Sequence, residues 1–340
     1  MREPNFNNIL KVLNKEKPDR PTLFEFFLNF ELYEKLAGCK FPPSTTPIDM
    51  NRLKIKAFAT AGYDYATVHS SGFHFPNDKV SKANSESSAQ TMSINDNFVI
   101  FDKKSFDEYK WLEPDDFDYS NMGQIEKDLP GNMKVMVDGP MGLLENAIRL
   151  VGYENLCFMI YEDEQLVYDI FDNIGKRLYR HYEKSLEYSS VGIIMSNDDW
   201  GFNTQTMLSV EQMRKFVFPW HKRFVELAHE KGRPIVLHSC GNFNEIMDEV
   251  IDDIKYDGKH SYEDNILSVE KSYDRWGGRI AILGGIDLDF IVNKTSEEIK
   301  KRCRDMLVKG ERGYALGTGN SVPTYVPDDN YFAMTSTVFE

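Results

Sequence analysis

The chain has 340 residues, 41% of them apolar, and 40 basic against 54 acidic side chains leave a net charge of −14. That balance argues against nucleic acid and anionic membrane surfaces as partners, since both need a basic face, and favours a cationic or neutral ligand. The opening MREPNFNNILKVLNKEKPDR holds no long apolar run, and no later stretch approaches the roughly 20 apolar residues of a membrane span, so neither a secretory signal nor a membrane segment is expected.

In chain order, the first strand pattern is PTLFEFF (21–27), followed by YATVH (65–69). A polar excursion then runs from about 70 to 121, and its SINDNFVIFD reads as a hairpin laid over the mouth of the fold, as a lid or a dimer contact. KVMVDG (134–139), GIIMSN (192–197) and PIVLHS (234–239) come next. A weak pattern at DGKHS (257–261), then IAILGG (280–285) and GYALGT (313–318), complete eight short apolar runs bounded by Gly, Asp or Asn, as buried parallel strands are. Helices lie between them. In SVEQMRKFVFPWHKRFVELAHEKG, Ser209 and Gln212 form a capping box, Pro219 predicts a kink and Gly232 a stop. Thr295 and Glu298 repeat the box before a helix ending at Gly310, with Cys303 on its apolar face. The four cysteines, at 39, 157, 240 and 303, are widely spaced, which points to a reduced, cytoplasmic protein without a disulfide framework.

Eight strands alternating with helices predict a single (β/α)8 barrel domain over 1–340; an open doubly wound sheet is the alternative, but no Gly-x-Gly-x-x-Gly follows an early strand. The carboxyl ends of barrel strands converge on one mouth. Here those ends carry Glu25, His69, Asp138, Asn197-Asp198-Asp199-Trp200, His238 with Cys240, His260, Asp287, and Thr318 with Asn320. His238 and Cys240, two apart on a strand, face one way roughly 6.5–7 Å apart. Such a pair can put an imidazole nitrogen and a thiolate on one zinc ion, at about 2.1 and 2.3 Å. A third ligand must come from another strand end; Asp198, Asp199, His260, Glu25 and Asp287 are the candidates. The bland alternatives are core histidines at 69 and 260, a helix cap at Asp198-Asp199, and core packing for Trp200 and Phe202. His74, His181, His221 and His229 lie in the excursion or on helices and are assigned no role.

NDDWGF, SVEQMRKFVFPWHKRF, KGRPIVLHSCGN, LGGID and GYALGTGN, in that order, resemble the uroporphyrinogen decarboxylase superfamily, well over about 120–330 and loosely before. The resemblance implies a barrel with one of two chemistries. The decarboxylase branch, metal-free, carries an arginine-rich signature after its first strand; here NFELYEKLAG follows, and Arg2 and Arg20 are the only arginines before residue 50. The other branch comprises zinc methyltransferases that exchange methyl groups with a corrinoid protein. Its His-x-Cys is matched by His238 and Cys240, but Thr318 stands where a second cysteine belongs, so a carboxylate or His260 must replace it. That harder donor set suits an ether or alcohol oxygen. The resemblance thus implies methyl transfer between a small methylated donor and cobalamin carried on a partner protein, with zinc at His238, Cys240 and His260. Asp138, Asp198 and Asp199 are the candidate catalytic acids. Glu25, His69, Trp200, Phe202, Asp287 and Asn320 are the candidate substrate contacts. A homodimer is the family-level expectation. The rivals are a decarboxylase acting on a porphyrinogen or another cyclic acid, and a non-catalytic member that only binds a ligand.

Overall fold

The computed structural model describes residues 2–42, 44–77, 95 and 98–340. Seven strands form one sheet: β1 (Tyr65–Val68), β2 (Lys134–Asp138), β3 (Val191–Asn197), β4 (Ile235–His238), β5 (Gly258–His260), β6 (Ala281–Leu283) and β7 (Tyr314–Ala315). Every neighbouring pair is parallel, and the spatial order is the chain order. Such a sheet must carry the chain back to the same edge after each strand, and helices such as Glu164–Ser185 and Ser296–Lys309 do so. All carboxyl ends therefore share one rim. The strands are buried along nearly their whole length, which is why they read as unbroken apolar runs.

The expected first strand, 21–27, is not a regular strand. It makes one parallel bridge, Leu23 to Leu316, with Phe24 N–H donating to the Leu316 carbonyl at 2.8 Å. Toward β1 the contact runs through a side chain: the Tyr65 hydroxyl lies 2.8 Å from Glu25 N and 2.7 Å from Glu25 O. A phenol occupies both backbone groups that a ladder with β1 would need, so seven strands rather than eight make the sheet.

Between β1 and β2, the hairpin expected over 93–102 falls partly outside the described residues. Its described part is not strand: Val99 and Ile100 N–H both donate to the Leu150 carbonyl at the end of the helix Leu143–Val151, and Asp102 then caps the helix Lys103–Glu108. The expected kink at Pro219 takes the form of a π-turn over Met213–Val217, just before the helix Phe218–Glu230. Proline lacks the N–H for the normal bond and its ring crowds the carbonyl four residues back; a wider turn relieves both. Both capping boxes are present, and Cys303 is buried. Among the described residues no helix is long and apolar enough to cross a membrane.

Candidate metal centre and adjoining cavity

β3, β4 and β5 end in register, pairing Asn197 with His238 and His238 with His260. Register partners in a parallel sheet point to the same face, so these side chains form one layer, and Cys240 rejoins it two residues on. The predicted same-side placement of His238 and Cys240 is what the structure has: Nε2 lies 3.7 Å from Sγ. Asp199 supplies the third corner. Its Oδ1 is 4.0 Å from His238 Nε2 and accepts the Cys240 N–H at 2.7 Å. The three donor atoms all lie within 4.8 Å of one another.

Two glycines bring Asp199 to Cys240. A Cβ on Gly241 would stand 2.0 Å from the Gly201 carbonyl oxygen, and Gly241 also has φ +88°. Only bare backbones allow the loops after β3 and β4 to touch there, closed by Gly201 N–H to the Cys240 carbonyl at 3.2 Å. Gly241→Ala is therefore expected to push the loops apart and lower zinc affinity by about tenfold or more, as a misplaced ligand shell does. Metal titration against a competing chelator reads it out.

His260 is not a third ligand in this arrangement; it stands behind His238. The Thr318 carbonyl can only accept, so His260 Nε2, 3.3 Å away, carries the proton. Burial holds His260 well below its ordinary value, so its ring is neutral and Nδ1 is bare. That nitrogen accepts from His238 Nδ1–H at 2.8 Å. His238 is likewise kept neutral by burial, which leaves its Nε2 lone pair facing Cys240 and Asp199. A carbonyl on β7's extension thus sets the tautomer of the candidate ligand ring through a second imidazole, as outer partners of metal-bound histidines do. His260→Phe is expected to lower zinc affinity about 10–100-fold with the three donors intact, read by the same titration.

The sulfur is dressed on two sides: Asn320 Nδ2 donates at 3.2 Å and Ser261 Oγ at 3.4 Å. Burial, and then Asp199, push the Cys240 thiol up to about 12, so the sulfur keeps its proton until a cation displaces it. A tetrahedral ion with bonds of about 2.0–2.3 Å separates its ligands by roughly 3.3–3.8 Å. The Nε2–Sγ separation falls in that range and the Nε2–Oδ1 one within a few tenths of it. The residues fit a zinc ion.

Several predicted site residues serve the scaffold instead. Asp198 is buried and accepts from Leu144 N–H (3.1 Å), Glu145 N–H (3.0 Å), Trp200 Nε1–H (2.9 Å) and His221 Nε2 (2.9 Å). It caps the helix Leu143–Val151 and anchors Trp200, itself fully buried and away from the cavity. Phe202 packs edge-on against Tyr153. Asp287 caps the helix Leu288–Asn293. Glu25 is buried against Thr318, taking its N–H and facing its Oγ1, each at 2.7 Å. Burial pushes Glu25 up to about 8, against the pull of those bonds. Thr318 Oγ1 also touches the Asn320 carbonyl and has one proton for two neighbours. A protonated Glu25 donating to Oγ1 resolves the conflict.

Beside the cluster, a cavity of about 910 Å³ opens at the ends of β1–β3. Asn197, His238's register partner, lines it, as do His69 and Asp138, paired at 2.9 Å through Nδ1 and Oδ1. His181, assigned no role from sequence, also lines it, held between the Tyr119 hydroxyl (2.9 Å) and the Asp138 carbonyl (3.1 Å). Lys54 and Arg149 line it too. No sequence signal marks these two, because they sit on helices rather than at strand ends. Ser261 lay within reach of the strand-end reading, one residue past His260.

The family model described as uroporphyrinogen decarboxylase matches residues 7–340. Among solved structures, a methyltransferase from Methanosarcina mazei is similar at 16% identity over 99% of both chains, with a TM-score of 0.71. A B12-independent methionine synthase from a Shewanella species is similar at 14% identity over 94% of this chain and 95% of that one, with a TM-score of 0.53. At such identities the likeness is one of fold. No curated protein is similar enough to count as a match.

Proposed function

Because the chain belongs to the uroporphyrinogen decarboxylase family, we propose that it is a zinc-assisted methyltransferase, moving a methyl group between a small methylated donor in the cavity and a corrinoid carried on a separate protein. The convergence of Asp199, His238 and Cys240 carries this reading. When bound, zinc supplies a Lewis acid that draws electron density from the donor's heteroatom. The chain's own residues do the rest. Thr318 and His260 hold the Nε2 lone pair of His238 in place. Asn320 and Ser261 stabilise a thiolate at Cys240. Asp138 fixes His69 through Nδ1, so that Nε2 can hold or release a proton beside the departing group. The oxygen donor of Asp199 in place of a second sulfur favours an oxygen leaving group.

The fold neighbours leave the methyl carrier open, since one is named a B12-independent methionine synthase; the corrinoid partner rests on the sequence resemblance. The same reading takes 1–340 as one domain, with segment 21–27 as the eighth stave of a closed barrel, supported by the Leu23–Leu316 bridge. It also takes the protein as cytoplasmic, in keeping with four unpaired cysteines, and as a homodimer on the family resemblance alone. A decarboxylase of a cyclic acid is the second reading, favoured by Asp138 in the cavity wall. Against it, Arg2 is tied to the Pro21 carbonyl and Arg20 is paired with Asp64, both away from the cavity. Elemental analysis of freshly purified protein tests the choice: about one zinc per chain is expected, whereas metal-free protein that consumes uroporphyrinogen would overturn it.

A further inference from the structure

Lys259 is buried on β5, one residue before His260, so its side chain leaves the sheet on the face opposite the histidine layer. There its nitrogen lies 4.2 Å from the Tyr262 ring centre and 4.4 Å from that of Phe243. A hydrocarbon side chain would fill that space without desolvating an amine. The amine's hydrogen-bond acceptor is the Ser261 carbonyl, two residues on. Burial pulls Lys259 down to about 7, yet an amine keeps N–H donors in either protonation state.

Ser261 is the residue that needs holding. Its φ of +85° lies in the left-handed region, which a residue with a Cβ disfavours. In that conformation its Oγ donates to Cys240 Sγ at 3.4 Å. Tyr262 closes the turn from both ends: its N–H donates to the Gly319 carbonyl at 2.9 Å, and its hydroxyl to the Lys259 carbonyl at 3.3 Å. A Cβ on Gly319 would stand 2.3 Å from the Tyr262 carbonyl oxygen, so the loops after β5 and β7 meet backbone to backbone. Asn320, next in the chain, gives the sulfur its other hydrogen bond, at 3.2 Å. Both donors to Cys240 thus hang on one junction, and Lys259 ties down its strained member.

We propose that Lys259 is a positioning residue: by holding the Ser261 carbonyl it keeps Ser261 left-handed, and so aims Ser261 Oγ and Asn320 Nδ2 at the Cys240 sulfur. Its consequence for zinc rests on Cys240 being a metal ligand, as in the reading above.

The test compares the full chain with Lys259→Met, Ser261→Gly and the double variant. Glycine adopts a left-handed backbone freely, so it removes the need for the clasp along with the hydroxyl. Zinc affinity is read by competition with a chelator, and hydrogen exchange at the Tyr262 amide is read in metal-free protein. Lys259→Met is expected to weaken zinc about tenfold or more, as loss of outer partners does, and to speed Tyr262 exchange at least about tenfold. Ser261→Gly is expected to weaken zinc about tenfold and to leave Tyr262 exchange unchanged. Adding Lys259→Met to Ser261→Gly should then change neither readout further. If Lys259 only fills space, the two losses multiply to about a hundredfold in the double variant, which overturns the proposal. Unchanged Tyr262 exchange in Lys259→Met overturns it as well. Lys259→Gln, one bond shorter than the lysine, carries the same expectations should Lys259→Met not fold. A chain that binds no zinc but shows the exchange pattern sinks the metal reading and leaves the clasp standing; a zinc-loaded chain without that pattern does the reverse.

Discussion

His238→Ala is expected to empty the metal centre: zinc per chain falls from about one to near zero, and zinc-dependent methyl transfer falls with it. The effect is large because the cluster offers three donors, and the two left, Asp199 and Cys240, do not hold zinc by themselves. Affinity should drop by more than the roughly 100-fold that loss of an outer partner such as His260 can cost. His238 is nearly buried, so its removal also orphans His260 Nδ1. Cys240→Ser, which keeps size and backbone, separates metal loss from misfolding; it too should lose zinc, with an unchanged circular dichroism spectrum. One zinc per chain retained in His238→Ala would end the metal-centre reading.

A second expected result concerns stability. Asp198→Ala should lower the melting temperature by about 4–7 °C, from a loss of about 3–5 kcal/mol. Four donors converge on that carboxylate in a fully buried setting, and each buried donor left without a partner costs about 1–3 kcal/mol, less than additively when neighbours relax together. There is little room for compensation nearby: a Cβ on Gly142 would stand 2.2 Å from Asp198 Oδ1, and Glu145 Oε2 is already committed to the Gly142 N–H at 2.8 Å. Zinc content in Asp198→Asn should stay at about one per chain. A variant with unchanged melting temperature and abolished activity would return Asp198 to the catalytic role its position in Asn-Asp-Asp-Trp suggests.

The contrast between Asp198 and Asp199 marks where sequence reading stops. Adjacent residues at a strand end point opposite ways, and either could have faced the cluster. Asp198 faces the amino end of Leu143–Val151, and Asp199 faces Cys240. The choice depends on how closely the loops after β3 and β4 approach, which two glycines forty residues apart in the chain decide together. His260 was legible as a strand-end group but not as a partner of His238, because its place follows from the register of β4 and β5.

From its sequence alone, the protein had seven of the eight expected strand positions, their parallel character, the helix caps, and the common direction of His238 and Cys240. All of these are local: hydrophobic period, capping chemistry and the two-residue repeat of a strand act within one segment. Tertiary structure decided that Tyr65 takes the place of a ladder beside Glu25, that Asp199 joins the cluster, that Thr318 speaks to the site through its carbonyl rather than its side chain, and that Lys54 and Arg149 reach the cavity from helices. Each of these is a contact between segments distant in the chain, set by register and close approach, and no single segment's pattern carries that information.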